Sequence, residues 1–209
     1  MKTKLIWITP EAEKIIIYCA RVSNSKNQNN NDTKLLDYCI KNNHWSIFEM
    51  ASACFEIETS RVLSAQITRH RSFSFQEFSQ RYSETQGFET YKARRQDLKN
   101  RQNSIDDLNQ ETIEWFYNQQ KEVQNNSEHL YNEALKKGIA KEQARFLLPQ
   151  STSSRLYMSG TLRSWIHYLK LRSGNGTQKE HQDIALAITN ELSIYLPTIS
   201  LALGWDNRL

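Results

Sequence analysis

The spacing of apolar and polar residues predicts an α+β protein. Over residues 51–59, Ala53, Phe55 and Ile57 alternate with more polar positions, which is typical of a strand with one buried face. A shorter strand is predicted over 4–8, where it precedes Thr-Pro. The remaining periodicity is mostly helical, so we expect a helix-rich single domain around a small sheet.

Helical spacing of apolar residues marks most of the chain outside these strands. We expect Thr9 and Pro10 to begin the first helix, Asp32 to cap the second, Gly138 to end the long fourth helix and Pro197 to end the last. The predicted helices cover 10–21, 33–41, 61–66, 107–137, 140–148, 159–172 and 179–196. The sixth is apolar on more than one side, which predicts a place at the centre of the fold or of an oligomer.

Residues 91–107 are highly charged and carry few apolar side chains. This composition predicts a surface excursion, and its length makes it a candidate lid over a site. We expect its basic side chains to be solvated; they are Arg94, Arg95, Lys99 and Arg101.

Composition limits the class of protein. The chain has 209 residues with no break in composition, so one domain is expected over 1–209. No apolar run approaches the ~18 residues of a membrane span, and the first residues do not resemble a signal peptide, so a cytoplasmic protein is expected. Cys19, Cys39 and Cys54 are far apart in the sequence, which predicts reduced thiols and no metal site.

The segment 64–84 is the first candidate site. It places Arg69, His70, Arg71 and Arg81 around one acid, Glu77, with serines between them. Guanidinium groups bind phosphate oxygens in pairs, so this composition suits a phosphate or a polyanionic cofactor. Interleaved aromatic residues indicate a half-buried, built site. The alternatives are a solvated surface turn and a nucleic-acid patch.

A second cationic group lies in the apolar C-terminal half and comprises Arg145, Arg163, His167 and Arg172. Arginines among apolar residues call for anionic partners, either a ligand or structural ion pairs with Glu142, Asp183 or Glu191. On a helix, Arg163 and His167 share a face while Arg172 lies on the opposite side.

The chain resembles the flavin-dependent thymidylate synthases. Arg69-His70-Arg71, seven further residues and then Ser79 match the family signature, and the match continues through Glu77, Arg81, Tyr82 and Ser83. Three other segments also resemble the family: 44–49, 144–149 and 162–172.

The resemblance implies an activity, its cofactors and an assembly. The family makes dTMP from dUMP, with methylenetetrahydrofolate as carbon donor, FAD as redox carrier and NADPH as reductant, and without a cysteine nucleophile on the enzyme. It implies a mainly antiparallel sheet and a homotetramer whose sites form between subunits. The implied partners are therefore small molecules and further copies of the chain, with no membrane and no nucleic acid.

The resemblance also implies roles for individual residues. Arg172 is the implied catalytic residue, acting at N3 of the uracil. The implied dUMP contacts are Gln66, Arg69, Glu77, Phe78, Ser79, Gln80, Arg81, Arg145 and Arg172. The implied FAD contacts are Ser52, Arg69, His70, Arg71, Glu77, Thr161, Arg163 and His167.

This sequence departs from the family pattern at a few positions. Met50 stands where many members have a flavin-side histidine, and Gln76, Thr161 and His167 stand where asparagine is common. His44, His129 and His181 are interpreted as loop or helix-surface residues.

The residues alone leave two other classes open. Arginine and phenylalanine interleaved over 69–82 are also typical of an RNA- or DNA-binding module. A structural oligomer, with the arginines paired to acids, is the third class. The extended motif and the separate C-terminal match favour the synthase.

Overall fold

The computed structural model describes residues 1–85 and 87–205. Its strands are β1 (Lys2–Ile8), β2 (Ser52–Ser60), β3 (Ser74–Glu77), β4 (Arg95–Gln96), β5 (Ser104–Ile105) and β6 (Ser153–Thr161). Its α-helices are α1 (Ala12–Ala20), α2 (Lys34–Lys41), α3 (Arg61–Ile67), α4 (Gln110–Lys136), α5 (Lys141–Ala144), α6 (Leu162–Arg172), α7 (Lys179–Tyr195) and α8 (Pro197–Leu203). Short 3₁₀ turns cover Ser25–Asn27, Ser46–Met50 and Arg145–Leu147.

One antiparallel sheet organises the fold, with strand order β1–β2–β6–β3. Strands β2 and β6 pair along their whole length, from Ser52 opposite Thr161 to Ser60 opposite Ser153. Strands β1 and β3 pair on the outer sides of this central pair. Strands β4 and β5 form a separate two-stranded ribbon. The expected helix-rich α+β fold with a small antiparallel sheet is confirmed.

The main core lies between the sheet and helices that pack on it. On β2, the alternating residues Ala53, Phe55 and Ile57 are fully buried, as the period-2 pattern predicts. Trp165 of α6 packs edge-on against Phe55, and its Nε1 donates to the Ala53 carbonyl at 3.1 Å. This hydrogen bond satisfies the one polar atom of a buried aromatic side chain. Helix α6 is therefore anchored on the centre of the sheet.

The helix predicted over 159–172 is wrong at its beginning. Residues 159–161 belong to β6, a strand the sequence analysis did not assign, and the helix starts at Leu162. Thr161 ends the strand and caps the helix, because its Oγ1 accepts from the Ser164 N–H at 3.2 Å. Strand β3 was not predicted either.

Three helix ends also differ from expectation. The first helix begins at Ala12, after Glu11 in a left-handed conformation, and Thr9 and Pro10 lie outside it. Helix α4 begins at Gln110 with Asn109 as its cap. Pro197 ends α7 as expected but also opens α8, which was not predicted. Gly138 does follow α4 with φ 79°, as a C-terminal glycine should.

The long helix α4 has its apolar stripe facing outwards. Phe116, Val123 and Leu130 are spaced by seven residues and are exposed. The face turned towards the segment that precedes α4 carries glutamines. Gln124 Nε2 donates to the Glu89 carbonyl at 2.9 Å. The Gln120 side chain accepts from the Tyr91 N–H and donates to the Tyr91 carbonyl. Within the part of the chain that the structure describes, no helix is long and apolar enough to cross a membrane.

Gly160 in β6 lets the Phe73 ring cross the strand. A Cβ added at Gly160 would lie 2.5 Å from Cδ1 of Phe73. The ring cannot move aside freely, because its centroid lies 4.8 Å from that of the Trp165 ring and 5.7 Å from that of the Tyr168 ring. We expect Gly160→Ala to lower the free energy of unfolding by about 1–3 kcal/mol, measured by urea denaturation.

Gly174→Ala is the matched control. An added Cβ there meets only the Leu171 and Lys170 carbonyl oxygens, at 3.5 and 3.8 Å, which is ordinary contact. Equal stability of the two variants would show that the Phe73 ring yields, and would contradict the packing argument.

Candidate active site

Glu77, at the end of β3, is held by three side chains. Its Oε1 accepts from Arg61 Nη1 at 2.5 Å and from Ser64 Oγ at 2.5 Å, both on α3. It also accepts from Ser154 Oγ of β6 at 2.7 Å. Charge-assisted bonds of this kind fix the carboxylate in place. The central acid of the motif is therefore an anchor that ties α3, β3 and β6 together.

A cavity of ≈ 220 Å³ adjoins this anchor and is rich in donors. It is lined by Arg61, Glu77, Phe78, Ser79, Gln80 and Arg145. Gln80 is buried, and its Nε2 has no hydrogen-bond partner among residues 1–85 and 87–205. A buried N–H group without a partner is costly, so this amide requires a partner that the described residues do not supply.

Two arginines near this cavity differ in their partners. Arg145 uses Nε to bond the Glu142 carbonyl at 3.1 Å, and it has no carboxylate partner in the described chain. Arg81, which was also expected here, does not line the cavity and is ion-paired with Glu142 at 3.1 Å. Five of the expected dUMP contacts thus meet in one place: Glu77, Phe78, Ser79, Gln80 and Arg145.

His70 and Arg172 form a second centre. Arg172 Nε donates to His70 Nε2 at 2.9 Å, so that nitrogen is an acceptor and the imidazole is neutral. Burial, and then the Arg172 charge, lower the pKa of His70, in agreement with the hydrogen bond. The terminal nitrogens of Arg172 have no partner within the described residues, so they remain available to a ligand.

The other expected flavin contacts lie around the first turn of α6. Ser52 is directly opposite Thr161 across the sheet. Arg163 is ion-paired with Glu49, and the His167 ring packs on Trp45 at 5.1 Å. Burial, and then the charges of Arg163 and Lys170, lower the pKa of His167.

Helix α6 therefore carries candidate residues on two faces, as its spacing predicted. Arg163 contacts Glu49 in the turn over Ser46–Met50 and His167 contacts Trp45 just before that turn, whereas Arg172 contacts His70. The structural ion pair that was the alternative for Arg163 does form, with Glu49 instead of the acids considered from the sequence.

Comparisons with known proteins agree with this arrangement. The family model described as thymidylate synthase complementing protein matches residues 4–198. A flavin-dependent thymidylate synthase of Synechocystis sp. is 55% identical over 193 residues, covering 92% of this chain and 90% of that protein. A probable flavin-dependent thymidylate synthase of Paramecium bursaria Chlorella virus 1 is 51% identical over 217 residues, covering 98% and 100%.

The chain belongs to the flavin-dependent thymidylate synthases. A crystal structure of a UMP/dUMP methylase from Streptomyces cacaoi, bound with 5-Br dUMP, has the same fold with a TM-score of 0.87. The match covers 97% of this chain and 94% of the methylase chain, at 24% sequence identity. The resemblance seen in the motifs is thereby confirmed, together with the expectation of a flavin-dependent enzyme.

The residues present fit a polyanionic flavin cofactor. Arg69 and Arg71 are exposed and form no ion pair in the described part of the chain, so their charges are free to meet phosphate oxygens. Their positions beside His70 join the cationic motif to the Arg172 centre.

Two residues expected at the surface are buried or ion-paired in the synthase fold. His181 was interpreted as a surface residue, which is wrong: it is fully buried and bonds Tyr168 and Gln66. Arg94 was expected to be solvated, which is also wrong, because it is ion-paired with the buried Glu180. His44 and His129 are exposed, as expected.

A groove of ≈ 590 Å³ lies between α4, the start of α7 and the segment 91–108. Its lining includes Arg94, Gln178 and Glu180 together with Trp115 and Phe116 of α4. The charged segment contains the β4–β5 ribbon. Two ion pairs link its ends, Arg95 with Asp107 and Lys92 with Asp106. That it acts as a lid remains a prediction.

Proposed function

We propose that this chain makes dTMP from dUMP by reductive methylation, with methylenetetrahydrofolate as carbon donor, FAD as redox carrier and NADPH as reductant. The observation that carries the proposal is the donor-rich cavity beside Glu77. Among the described residues, Gln80 Nε2 has no hydrogen-bond partner and the Arg145 guanidinium has no carboxylate partner. Membership of the flavin-dependent thymidylate synthases supplies the reaction class.

In this proposal the cavity receives the phosphate of dUMP. A nucleotide phosphate carries two negative charges and accepts several hydrogen bonds, so it matches Arg145, Ser79 and Gln80. Arg69 and Arg81 add charge from the surrounding surface, although Arg81 must share Glu142 or leave it. Glu77 holds Arg61 in the cavity wall and orients it.

Arg172 acts on the uracil ring. A guanidinium close to N3 favours the anionic form of the base, because an opposite charge lowers the pKa of a neighbouring acid. The ring then becomes more nucleophilic without a covalent bond to the enzyme. Its Nε–His70 bond fixes the direction of the guanidinium fork.

FAD, when bound, supplies the redox chemistry, and the chain supplies binding and orientation. Arg69, His70 and Arg71 contribute from the motif, and Glu77 joins them. Ser52 contributes from β2, Thr161 from the end of β6, and Arg163 and His167 from α6. The motif contacts the start of α6, because Ser164 Oγ donates to the Ser72 carbonyl at 3.2 Å, so residues of both elements can contribute to one flavin site.

The homotetramer is part of the proposal. Phe116, Val123 and Leu130 are exposed at a spacing of seven residues along α4, which gives this helix an apolar face that a second copy could cover. Light scattering on the purified protein tests the assembly directly; a monomer at micromolar concentration would contradict it.

No cysteine is expected to act as a nucleophile. Burial raises the pKa of the Cys39 and Cys54 thiols, which disfavours the reactive thiolate, and neither thiol lines the cavity. We expect the triple Cys→Ala variant to retain dTMP formation, whereas loss of a true covalent nucleophile costs on the order of 10⁶ in kcat. Loss of that size in a variant that still binds flavin would contradict this part of the proposal.

The experiment for the whole proposal is anaerobic dTMP formation, measured by chromatography. FAD, NADPH, dUMP and methylenetetrahydrofolate are supplied together and then omitted one at a time. Product that requires all four is the expected result. A yellow protein without product would indicate another substrate, and oligonucleotide binding without flavin would favour the nucleic-acid module.

A further inference from the structure

A one-directional chain of hydrogen bonds crosses the interior from α6 to the first turn of α7. Tyr168 OH lies 3.0 Å from His181 Nε2, and His181 Nδ1 lies 3.3 Å from Gln66 Oε1. The chain continues from Gln66 Nε2 to Gln178 Oε1 at 2.6 Å and from Gln178 Nε2 to Glu180 Oε2 at 2.9 Å.

In this series of hydrogen bonds, the direction of each bond is determined by the bond that follows it. Gln66 donates through Nε2, so its Oε1 must accept, and His181 Nδ1 must therefore carry the proton. His181 Nε2 is then free to accept from the Tyr168 hydroxyl. Burial, and then the charge of Arg172, lower the pKa of His181 to about 3, so the neutral ring is the form present at pH 7.

The series of hydrogen bonds ends at an ion pair between Glu180 and Arg94. Glu180 is buried and receives Gln178 on Oε2 and Arg94 on Oε1. The carboxylate accepts only, so it fixes which way the Gln178 amide points. Gln178 then fixes the Gln66 amide from one end while His181 fixes it from the other.

The geometry points to His181 and Gln178 as positioning residues for nucleotide binding: they lock the Gln66 amide in one orientation. The lock leaves the second N–H of Gln66 without a partner in the described residues, and therefore free to donate to a ligand. This inference rests on the proposed function, because it takes Gln66 as a dUMP contact. It assigns roles to two residues that are not among the implied contacts of dUMP or FAD.

The test compares His181→Phe in two backgrounds, using the flavin-loaded enzyme. Phenylalanine keeps a flat aromatic ring, somewhat larger than imidazole, and removes both nitrogens, so the Gln66 amide loses one of the two hydrogen bonds that hold it. We expect the KM for dUMP to rise about five- to tenfold, in line with the loss of one hydrogen bond, with kcat and flavin content changed much less. In a Gln66→Met background, the same His181→Phe change should leave the KM for dUMP unaltered.

A purely structural role of His181 predicts a different result. Its effect would then be the same with or without the Gln66 amide, which would overturn the inference. Thr189→Val is the matched control, since Thr189 is buried on α7 and its hydroxyl donates to the Ala185 carbonyl of its own helix, with no other side-chain partner among the described residues. We expect its KM for dUMP to equal that of the unmodified enzyme.

Gln178→Met gives a second, independent measurement if His181→Phe does not fold. This substitution removes the other hydrogen bond that orients the Gln66 amide, and Gln178 is partly exposed. We expect it to raise the KM for dUMP by a similar factor. Unchanged KM in this variant, in an enzyme that makes dTMP, overturns the positioning role alone. Absence of both dTMP formation and dUMP binding in the unmodified enzyme overturns the proposed function, and the inference with it.

Discussion

Arg172→Ala is expected to lower the rate of dTMP formation about a thousandfold while flavin stays bound. The reason is the position of the guanidinium: Nε is committed to His70 at 2.9 Å, and the terminal nitrogens have no partner in residues 1–85 and 87–205. In the proposed site this fixed charge lies beside the uracil and stabilises its anionic form, and alanine removes the charge without leaving a buried acid unpaired. The measurement is anaerobic turnover together with flavin absorbance after desalting.

Two further variants separate charge from shape at this position. Arg172→Lys keeps a positive charge but loses the forked donors, so we expect activity between that of alanine and arginine. Lys170→Ala is the control, because Lys170 is exposed on the same helix and makes no ion pair in the described chain. Loss of flavin together with activity in Arg172→Ala would place Arg172 at the cofactor and contradict its role at the uracil.

The motif over 69–81 could be recognised from the sequence because its residues are contiguous and their chemistry is specific. What the sequence could not show is which charges are already neutralised. Arg163 pairs with Glu49, which is 114 positions away in the chain, and Arg81 pairs with Glu142. Such pairs are set by tertiary packing, so they distinguish Arg145 and Arg69 from their neighbours only once the fold is known.

Strand β6 carried a signal that the apolar residues alone did not make clear. Leu156 and Met158 are buried and alternate with Arg155 and Tyr157, which is the period of a strand. Serines and Gly160 interrupt the run, and Gly160 is weak in a strand unless something needs the space. The Phe73 ring is what occupies that space.

His181 could have been placed in the interior by helical spacing. It lies three, four and seven residues before Ile184, Ala185 and Ile188, all of which are buried on α7. The charged neighbours of His181 hid this pattern. A histidine on an apolar stripe requires hydrogen-bond partners, and the partners found here are Tyr168 and Gln66.

Arg94→Met is expected to lower the free energy of unfolding by about 3–5 kcal/mol at neutral pH. Arg94 and Glu180 are only 16% and 6% exposed, so removal of the cation leaves a buried carboxylate without its counter-charge. Burial by itself raises the pKa of Glu180, but hydrogen bonds from Arg94 and Gln178 outweigh it and hold the pKa below its usual value. Denaturation in urea measures the loss.

The pH dependence follows from the sign of that shift. A lowered carboxyl pKa stabilises the native protein above the pKa of the unfolded chain, and the stabilisation disappears as the pH falls through the native value. Without Arg94, burial dominates and the pKa of Glu180 rises, so the variant gains from protonation. Its deficit should therefore be largest near pH 7 and shrink as the pH falls towards ~4.

Lys92→Met is the matched control for this prediction. Lys92 lies two residues away on the same segment and pairs with Asp106, but both side chains are about half exposed. Exposed pairs contribute only ~0–1 kcal/mol, so the control should be nearly as stable as the unmodified protein at every pH. If both variants lost the same stability, or if the Arg94→Met deficit grew on acidification, the Arg94–Glu180 pair would not be the contact that fastens this segment to α7.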